Sequence, residues 1–271
     1  MSLESATLAH RRALIAYEEV ATRAVVRAYV RPLEDLLGRL AVLDERLSSG
    51  RPLTARQRAQ ASRDRRKLLK LIKAARTDAR GTLQTRLMGA AQAEQRVSVS
   101  TLTASLPKGR EARAPAVDLQ QLLLNPTAGQ PWTRRLDVSL KATYDRIDAA
   151  LLVAIDRGAS MDRATELVRL AVGADQSQRK NLSRLTRTEI QRVSNQAAQA
   201  TYAANRDVIR AVRYLATLDA RVCELCGPQH RRVFELAEDG SHPGPYIPRH
   251  PNCRCFYAPV TRSFEEILGA A

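Results

Sequence analysis

Cys223-Glu-Leu-Cys226-Gly227 and, one loop later, His250-Pro-Asn-Cys253-Arg-Cys255 are the stretch that decides the C-terminal fold, and they hold all four cysteines of the chain. A Cys-x-x-Cys turn sets two thiolates around one tetrahedral ion, and a glycine after it lets backbone amides turn toward sulfur. The same two-residue gap separates His250 from Cys253. Cys253 and Cys255 are two apart, so in extended chain they share a face. Five donors (Cys223, Cys226, His250, Cys253 and Cys255) thus come from two turns, whereas a structural zinc ion takes four. Cys223 and Cys226 are the first two, and two more come from His250, Cys253 and Cys255. The competing reading is a pair of disulfides, or reduced thiols packed as small apolar groups. A small sheet with little core of its own gains most from a Zn2+ staple, so structural zinc is the expected cofactor.

Upstream of the first cysteines the pattern is helical. Leu182, Leu185, Val193, Ala197, Ala200 and Ala204 mark the apolar line of a helix over about 176–206. Glu189 sits four residues after Leu185 and four before Val193, at the edge of that line. A carboxylate there needs a cation, so Glu189 and Arg192 are expected to form a structural ion pair. Ala211 to Leu218 alternates weakly and predicts the first strand of a small sheet. Leu136, Leu140, Tyr144, Ile147, Leu151 and Ile155 predict a further helix ending at Gly158, with a short one following from about Asp162 to Gly173.

The N-terminal part reads as a helical hairpin. Leu33, Leu37, Leu40, Leu43 and Leu47 recur on one stripe, with a kink or break expected at Pro32. Ser48, Ser49, Gly50 and Pro52 make a turn. Thr54 then caps a second helix running toward Gln95, with Leu68, Ile72, Ala75, Ala79, Leu83 and Leu87 inward. Between Arg51 and Arg80 eleven arginines and lysines face only Asp64 and Asp78. Arg56, Arg58, Arg63, Arg65, Arg66, Lys67, Lys70 and Lys73 are therefore the candidate polyanion-binding residues. From Val97 to Trp132 serine, threonine and proline dominate, with Pro107, Pro115, Pro126 and Pro131 spaced through it. That segment predicts an extended arm, on its own or on a neighbouring subunit, with a short helix only at Leu119 to Leu124.

The fold class expected is mainly α. A basic helical hairpin (1–96) and an extended arm (97–132) precede a helical scaffold (133–260) whose end, 219–260, is a small α+β Cys/His knob. A tail (261–271) follows. A net charge of +16 favours a polyanionic partner, with a merely solvated basic surface as the alternative. No run approaches the ~20 apolar residues of a membrane span, and the charged first twenty residues hold no signal-peptide core. The chain is thus expected to fold in a reducing cytoplasm without a membrane partner. His230, His242 and His250, with Asp219, Glu224 and Asp239 nearby, allow a second function class, a zinc-stapled metal-dependent DNA nuclease. No carboxylate pair there has a telling spacing, so no catalytic residue is assigned.

Read in order, Arg187-Thr188-Glu189-Ile190 and Asn195, then Asp219-Ala-Arg-Val-Cys223-Glu-Leu-Cys226, then Ile247-Pro248 and His250-Pro-Asn-Cys253-Arg-Cys255, resemble the phage head-morphogenesis family typified by the Mu F protein. These are also called minor head or minor capsid proteins. The resemblance spans about Leu136 to Val260. It implies a non-enzymatic virion component of the head and portal region, assembled in the host cytoplasm. Its implied partners are the portal protein and the major capsid or scaffold protein, and in some members packaged double-stranded DNA.

Overall fold

Straight-chain and small residues lose little rotamer freedom in a helix, and this alanine-, leucine- and arginine-rich chain is accordingly mostly helical. The computed structural model describes residues 3–45, 54–124, 130–156, 175–219 and 222–269. Helix α1 spans Leu3–Glu45, α2 Ala55–Thr103, α3 Leu119–Leu124, α4 Trp132–Asp156 and α5 Asp175–Ala204. Strand β1 (Ile209–Leu215), a 3-10 turn (Gly227–Gln229), β2 (Val233–Glu235), β3 (Phe256–Thr261) and α6 (Phe264–Gly269) complete it. The turn expected at 48–52 and the short helix expected at 162–173 lie outside the described residues.

Two compact units divide the chain, and each is built from discontinuous segments. One comprises Met1–Val20, Gln84–Gly129 and Thr186–Ala271; the other comprises Ala21–Leu83 and Gln130–Leu185. This differs from a linear succession of hairpin, arm and knob, because the first residues of α1 share a unit with the cysteine-rich end. The Arg213 guanidinium donates to Glu4 at 2.5 Å, tying α1 to β1. Arg11 lies 5.9 Å from the ring centroid of Phe256, tying α1 to β3.

In the second unit the predicted inward residues Ile72, Ala75, Ala79 and Leu83 of α2 are buried, as are Leu136, Leu140 and Ile147 of α4 and Leu182 and Leu185 of α5. Tyr144 Oη donates to the Leu69 carbonyl at 2.7 Å, and Arg76 pairs with Asp137 at 2.8 Å. The helical period of the apolar residues thus found the packed faces.

Three departures from the sequence expectation have physical causes. Helix α1 carries Pro32 inside it without a break. A proline removes one hydrogen bond and costs about 3 kcal/mol, which a helix of this length can absorb. Helix α2 continues past Gln95 to Thr103, through serines and threonines that suggested loop. Leu102 is fully buried there, and Ser98 is satisfied locally by its Glu94 neighbour at 3.3 Å. Third, β1 stops at Leu215 rather than Leu218, because its partner β3 begins at Phe256 and offers nothing further to pair with. Thr217 instead donates its hydroxyl to the Arg254 carbonyl at 3.1 Å.

The residues after α2 run along their own unit. Asn205 exchanges two hydrogen bonds with the main chain of Arg113, accepting from its N–H at 2.7 Å and donating to its carbonyl at 2.9 Å. Arg110 donates to the Ile267 carbonyl at 3.0 Å. The sheet has the order β2-β1-β3, antiparallel throughout. Val212, Tyr214, Tyr202, Leu102, Ile247 and Ile267 pack with Cys226, Cys253 and Cys255 in one core.

Candidate metal centre

Two turns, each closed by a bond between its first and fourth residues, carry the cysteines and histidine. In the first, the amide of Cys226 donates to the Cys223 carbonyl at 3.0 Å; in the second, the amide of Cys253 donates to the His250 carbonyl at 3.1 Å. Asn252, at φ 60°, takes the left-handed conformation that the second turn requires and that asparagine tolerates. The turns close on each other as the spacing predicted. Among the described residues two triads form, Cys223, Cys226 and His250, and Cys226, Cys253 and Cys255, with the ligand atoms of each within 4.8 Å of one another. Cys226 belongs to both. All four cysteines are free in this structure.

The donor set fits zinc on three observations. His250 Nε2 lies 3.1 Å from Cys223 Sγ and 3.5 Å from Cys226 Sγ. Ordinary Zn–S and Zn–N bond lengths give a tetrahedral S···N edge of about 3.5 Å. His250 Nδ1 lies 2.9 Å from the Pro251 carbonyl, which can only accept, so the proton sits on Nδ1 and the Nε2 lone pair faces the sulfurs. Finally, the Tyr214 hydroxyl is buried without a hydrogen-bond partner, in the core that also holds Cys226, Cys253 and Cys255. A phenol in that position is better served by a metal-bound thiolate than by a thiol.

Hydrogen bonds split the four thiols. A bond from the Cys255 thiol, followed by the amides of Cys255 and Arg249, outweighs burial and holds Cys253 down at about 5. Burial is the largest single influence on Cys223 and works upward. The Cys226 thiol and the amides of Cys226 and Leu225 together overcome it and bring Cys223 below the usual thiol value. Cys255 is pushed well up, first by its neighbour Cys253 and then by burial, and burial raises Cys226 as well.

Helix α5 and Asp219 hold the second turn in place. Thr188 accepts from the Asn252 amide at 3.0 Å, and Gln191 and Asn195 both donate to the Cys255 carbonyl, Asn195 at 3.4 Å. Asp219 grips Arg254 through both carboxylate oxygens, which ties the approach to the first turn to the second. Sequence reasoning picked out Thr188, Asn195 and Asp219 but missed Gln191 and Tyr214. The spacing of Gln191, three after Thr188 and four before Asn195, puts it on their helical face and could have revealed it.

Glu189 and Arg192 form the expected ion pair, at 2.7 Å and with both side chains fully buried. Arg192 also donates to the carbonyls of Leu122 and Leu123, at 2.6 and 3.1 Å, and to Gln196 at 2.7 Å. The guanidinium thus fastens α3 to α5. The histidines of the nuclease reading have backbone work: His230 Nδ1 accepts from the Ala216 amide at 3.3 Å, and His242 Nδ1 from the Gly244 amide at 3.1 Å. Asp239 caps the Ser241 amide at 2.8 Å, and Glu224 is exposed.

Of the predicted polyanion residues, Arg56, Arg63, Arg66, Lys67, Lys70 and Lys73 are exposed on α2, and the side chains of Arg58 and Arg65 lie outside the described set. The six recur at helical spacing, which places them along one face about 25 Å long. Among the described residues no helix is long and apolar enough to cross a membrane.

Residues 145–258 match the family model described as Phage Mu protein F like protein, a stretch somewhat under half of the chain. It contains all five candidate ligands together with Thr188, Gln191 and Asn195. The match supports, over that stretch, the resemblance to phage head-morphogenesis proteins read from the sequence. No curated protein and no solved structure matches the chain.

Proposed function

We propose that this chain is a structural minor head protein of a tailed phage. It sits in the head and portal region of the virion, is assembled in the host cytoplasm, and carries its Cys/His knob on a structural zinc ion. One observation carries the reading: the segment that matches the Mu F-like family contains both converging ligand turns and the residues of α5 that hold the second of them. The metal supplies rigidity, since four of Cys223, Cys226, His250, Cys253 and Cys255 close a site with no position left for substrate. The partners in this reading are the portal protein and the major capsid or scaffold protein. The cationic face of α2 contacts packaged double-stranded DNA through its phosphates, without sequence preference.

The test is co-purification. The full chain, expressed with the portal protein encoded beside it, should elute with the portal oligomer and carry close to one zinc per chain. A chain that never associates with portal or capsid proteins defeats the head assignment. A plasmid-nicking assay with added divalent metal addresses the enzymatic alternative. Cutting that disappears in His230→Ala while the fold survives would replace the structural reading with the nuclease.

A further inference from the structure

The start of α1 is fastened to its unit partly through charged groups, and one of these has donors to spare. Arg11 is buried, and its Nη2 donates to Glu18 at 3.3 Å. The face of its guanidinium lies against the ring of Phe256, 5.9 Å from the centroid. Its Nε and Nη1 groups reach no acceptor within the protein. On α5 the buried Ser194 hydroxyl has no partner within the protein either. Burying the N–H groups of a cation without acceptors is among the costliest arrangements in a protein interior.

Both residues line one cavity of about 20 Å³, walled by α1, α2, α5 and β3. A water needs about 10–15 Å³ and two or more polar partners. We infer that this cavity is a binding site for an ordered water, which accepts from the Arg11 guanidinium, shares a hydrogen bond with Ser194, and so bridges α1 to α5.

The walls choose water over the two other occupancies. An anion would meet Arg11, but Glu94 lines the same cavity, and its carboxylate already accepts from His10 at 2.9 Å and from Ser98 at 3.3 Å. Glu18 answers the charge of Arg11 as well, so a further anion would be repelled. Cavities stay dry where their walls are apolar throughout. Leu14, Ala198 and Phe256 supply apolar wall here, but the unspent N–H groups and the hydroxyl supply the partners that hold a water.

The bridge crosses a boundary in the sequence. Arg11 lies outside residues 145–258, the stretch that matches the family model, and Ser194 lies inside them. Asn195, the next residue of α5, donates to the Cys255 carbonyl at 3.4 Å. The water thus ties α1 to the same length of α5 that supports the second ligand turn.

The experiment joins crystallography of the full chain to a cavity-filling variant. Electron density at a resolution that shows ordered solvent should place a water within hydrogen-bond reach of Arg11 and Ser194. Crystals soaked in bromide should show no anomalous peak there. Ala198→Val adds two methyl groups to the wall. In a dry cavity they would fill a void and raise the melting temperature. In a wet one they displace the water and strand Arg11, so melting should fall by about 2–12 °C. In an Arg11→Met background, where the donor is gone, the same substitution should lower melting less, or raise it. Ser194→Ala serves as the background if Arg11→Met does not fold. A cavity without water density, or one that takes bromide, overturns the inference. So does Ala198→Val that melts higher than wild type, and so does an equal fall in both backgrounds, which is crowding alone.

Discussion

Arg192→Met is the sharpest test of how this chain is held together. The guanidinium has no solvent contact and makes four hydrogen bonds, to Glu189, Gln196 and the carbonyls of Leu122 and Leu123. Burial pulls its pKa down to about 10, so it remains charged at neutral pH. Methionine fills similar volume but leaves the fully buried Glu189 carboxylate without this cation. Breaking one side of a buried ion pair costs about 3–5 kcal/mol. The two stripped carbonyls add roughly 1 kcal/mol each. Against a typical total stability of about 5–15 kcal/mol, that is a severe loss. At roughly 2–4 °C per kcal/mol for a chain of this size class, melting should fall by about 10–30 °C. The double variant Glu189→Leu/Arg192→Met removes the stranded charge but leaves the carbonyls unpaired, so it should melt between wild type and Arg192→Met. Thermal melts followed by circular dichroism, with α3 release followed by limited proteolysis, give both numbers. An Arg192→Met chain melting within about 2 °C of wild type, or a double variant worse than the single, would refute the clamp.

Other expectations follow from the same coordinates. Burial pushes the Glu18 carboxyl up to about 7 in spite of Arg11, Arg187 and Arg254. The folded chain therefore binds this proton more tightly than the unfolded one. Its contribution is fullest below about pH 4.5 and is lost as pH rises toward 7, by about 3 kcal/mol at most. Urea-unfolding curves of wild type and Glu18→Gln, paired at each pH, should diverge over that window; parallel curves contradict the burial argument. Chelation of the zinc-loaded chain should lower the melting of the sheet-bearing unit, and melting indifferent to chelator would leave the staple without a role. If the six exposed cations of α2 bind phosphates, the logarithm of DNA affinity should fall against that of salt with a slope near −5, and Lys70→Gln/Lys73→Gln should reduce it by about 2. Binding that ignores salt rules this out. A Cβ at Gly244 would stand 2.5 Å from Tyr257 Oη, 2.8 Å from His242 Nδ1 and 2.9 Å from a Phe234 ring carbon. Gly244→Ala should therefore cost about 1–3 kcal/mol of stability, and an unchanged melting point would mean that the loop simply moves aside.

What the sequence made legible divides along a physical line. Local period marked the helices well: the buried faces of α2 and α4 are the ones their apolar spacing predicts. Spacing within a turn also pointed to the candidate ligands, because Cys-x-x-Cys and His-x-x-Cys each fix two donors within four residues. The meeting of those turns was inferred from donor chemistry, and the structure brings them together. Non-local pairing left no such trace. Nothing in Leu3 to Val20 announces that it shares a unit with residues more than two hundred positions away, since the Glu4–Arg213 bond joins two ordinary surface-type residues. Serines and threonines at the end of α2 misled for a related reason. Their hydroxyls favour turns in isolation, but Leu102 anchors that stretch in the core and the helix persists.

Helix α5 shows why the family match and the metal site coincide in one segment. On it, Thr188, Gln191 and Asn195 satisfy the backbone of the second ligand turn, while Glu189 and Arg192 hold α3. Both tasks fall within a few residues of one rigid rod, so neither the turn nor α3 can shift without disturbing the other's support. In the proposed zinc-loaded chain a metal ion would add closure between the two turns, which α5 does not provide because it touches only the second of them through these bonds. The first turn depends on Asp219 gripping Arg254 and on the shared centre at Cys226. Held by α5 on one side and by Asp219 on the other, the two turns keep their places in the core of the sheet.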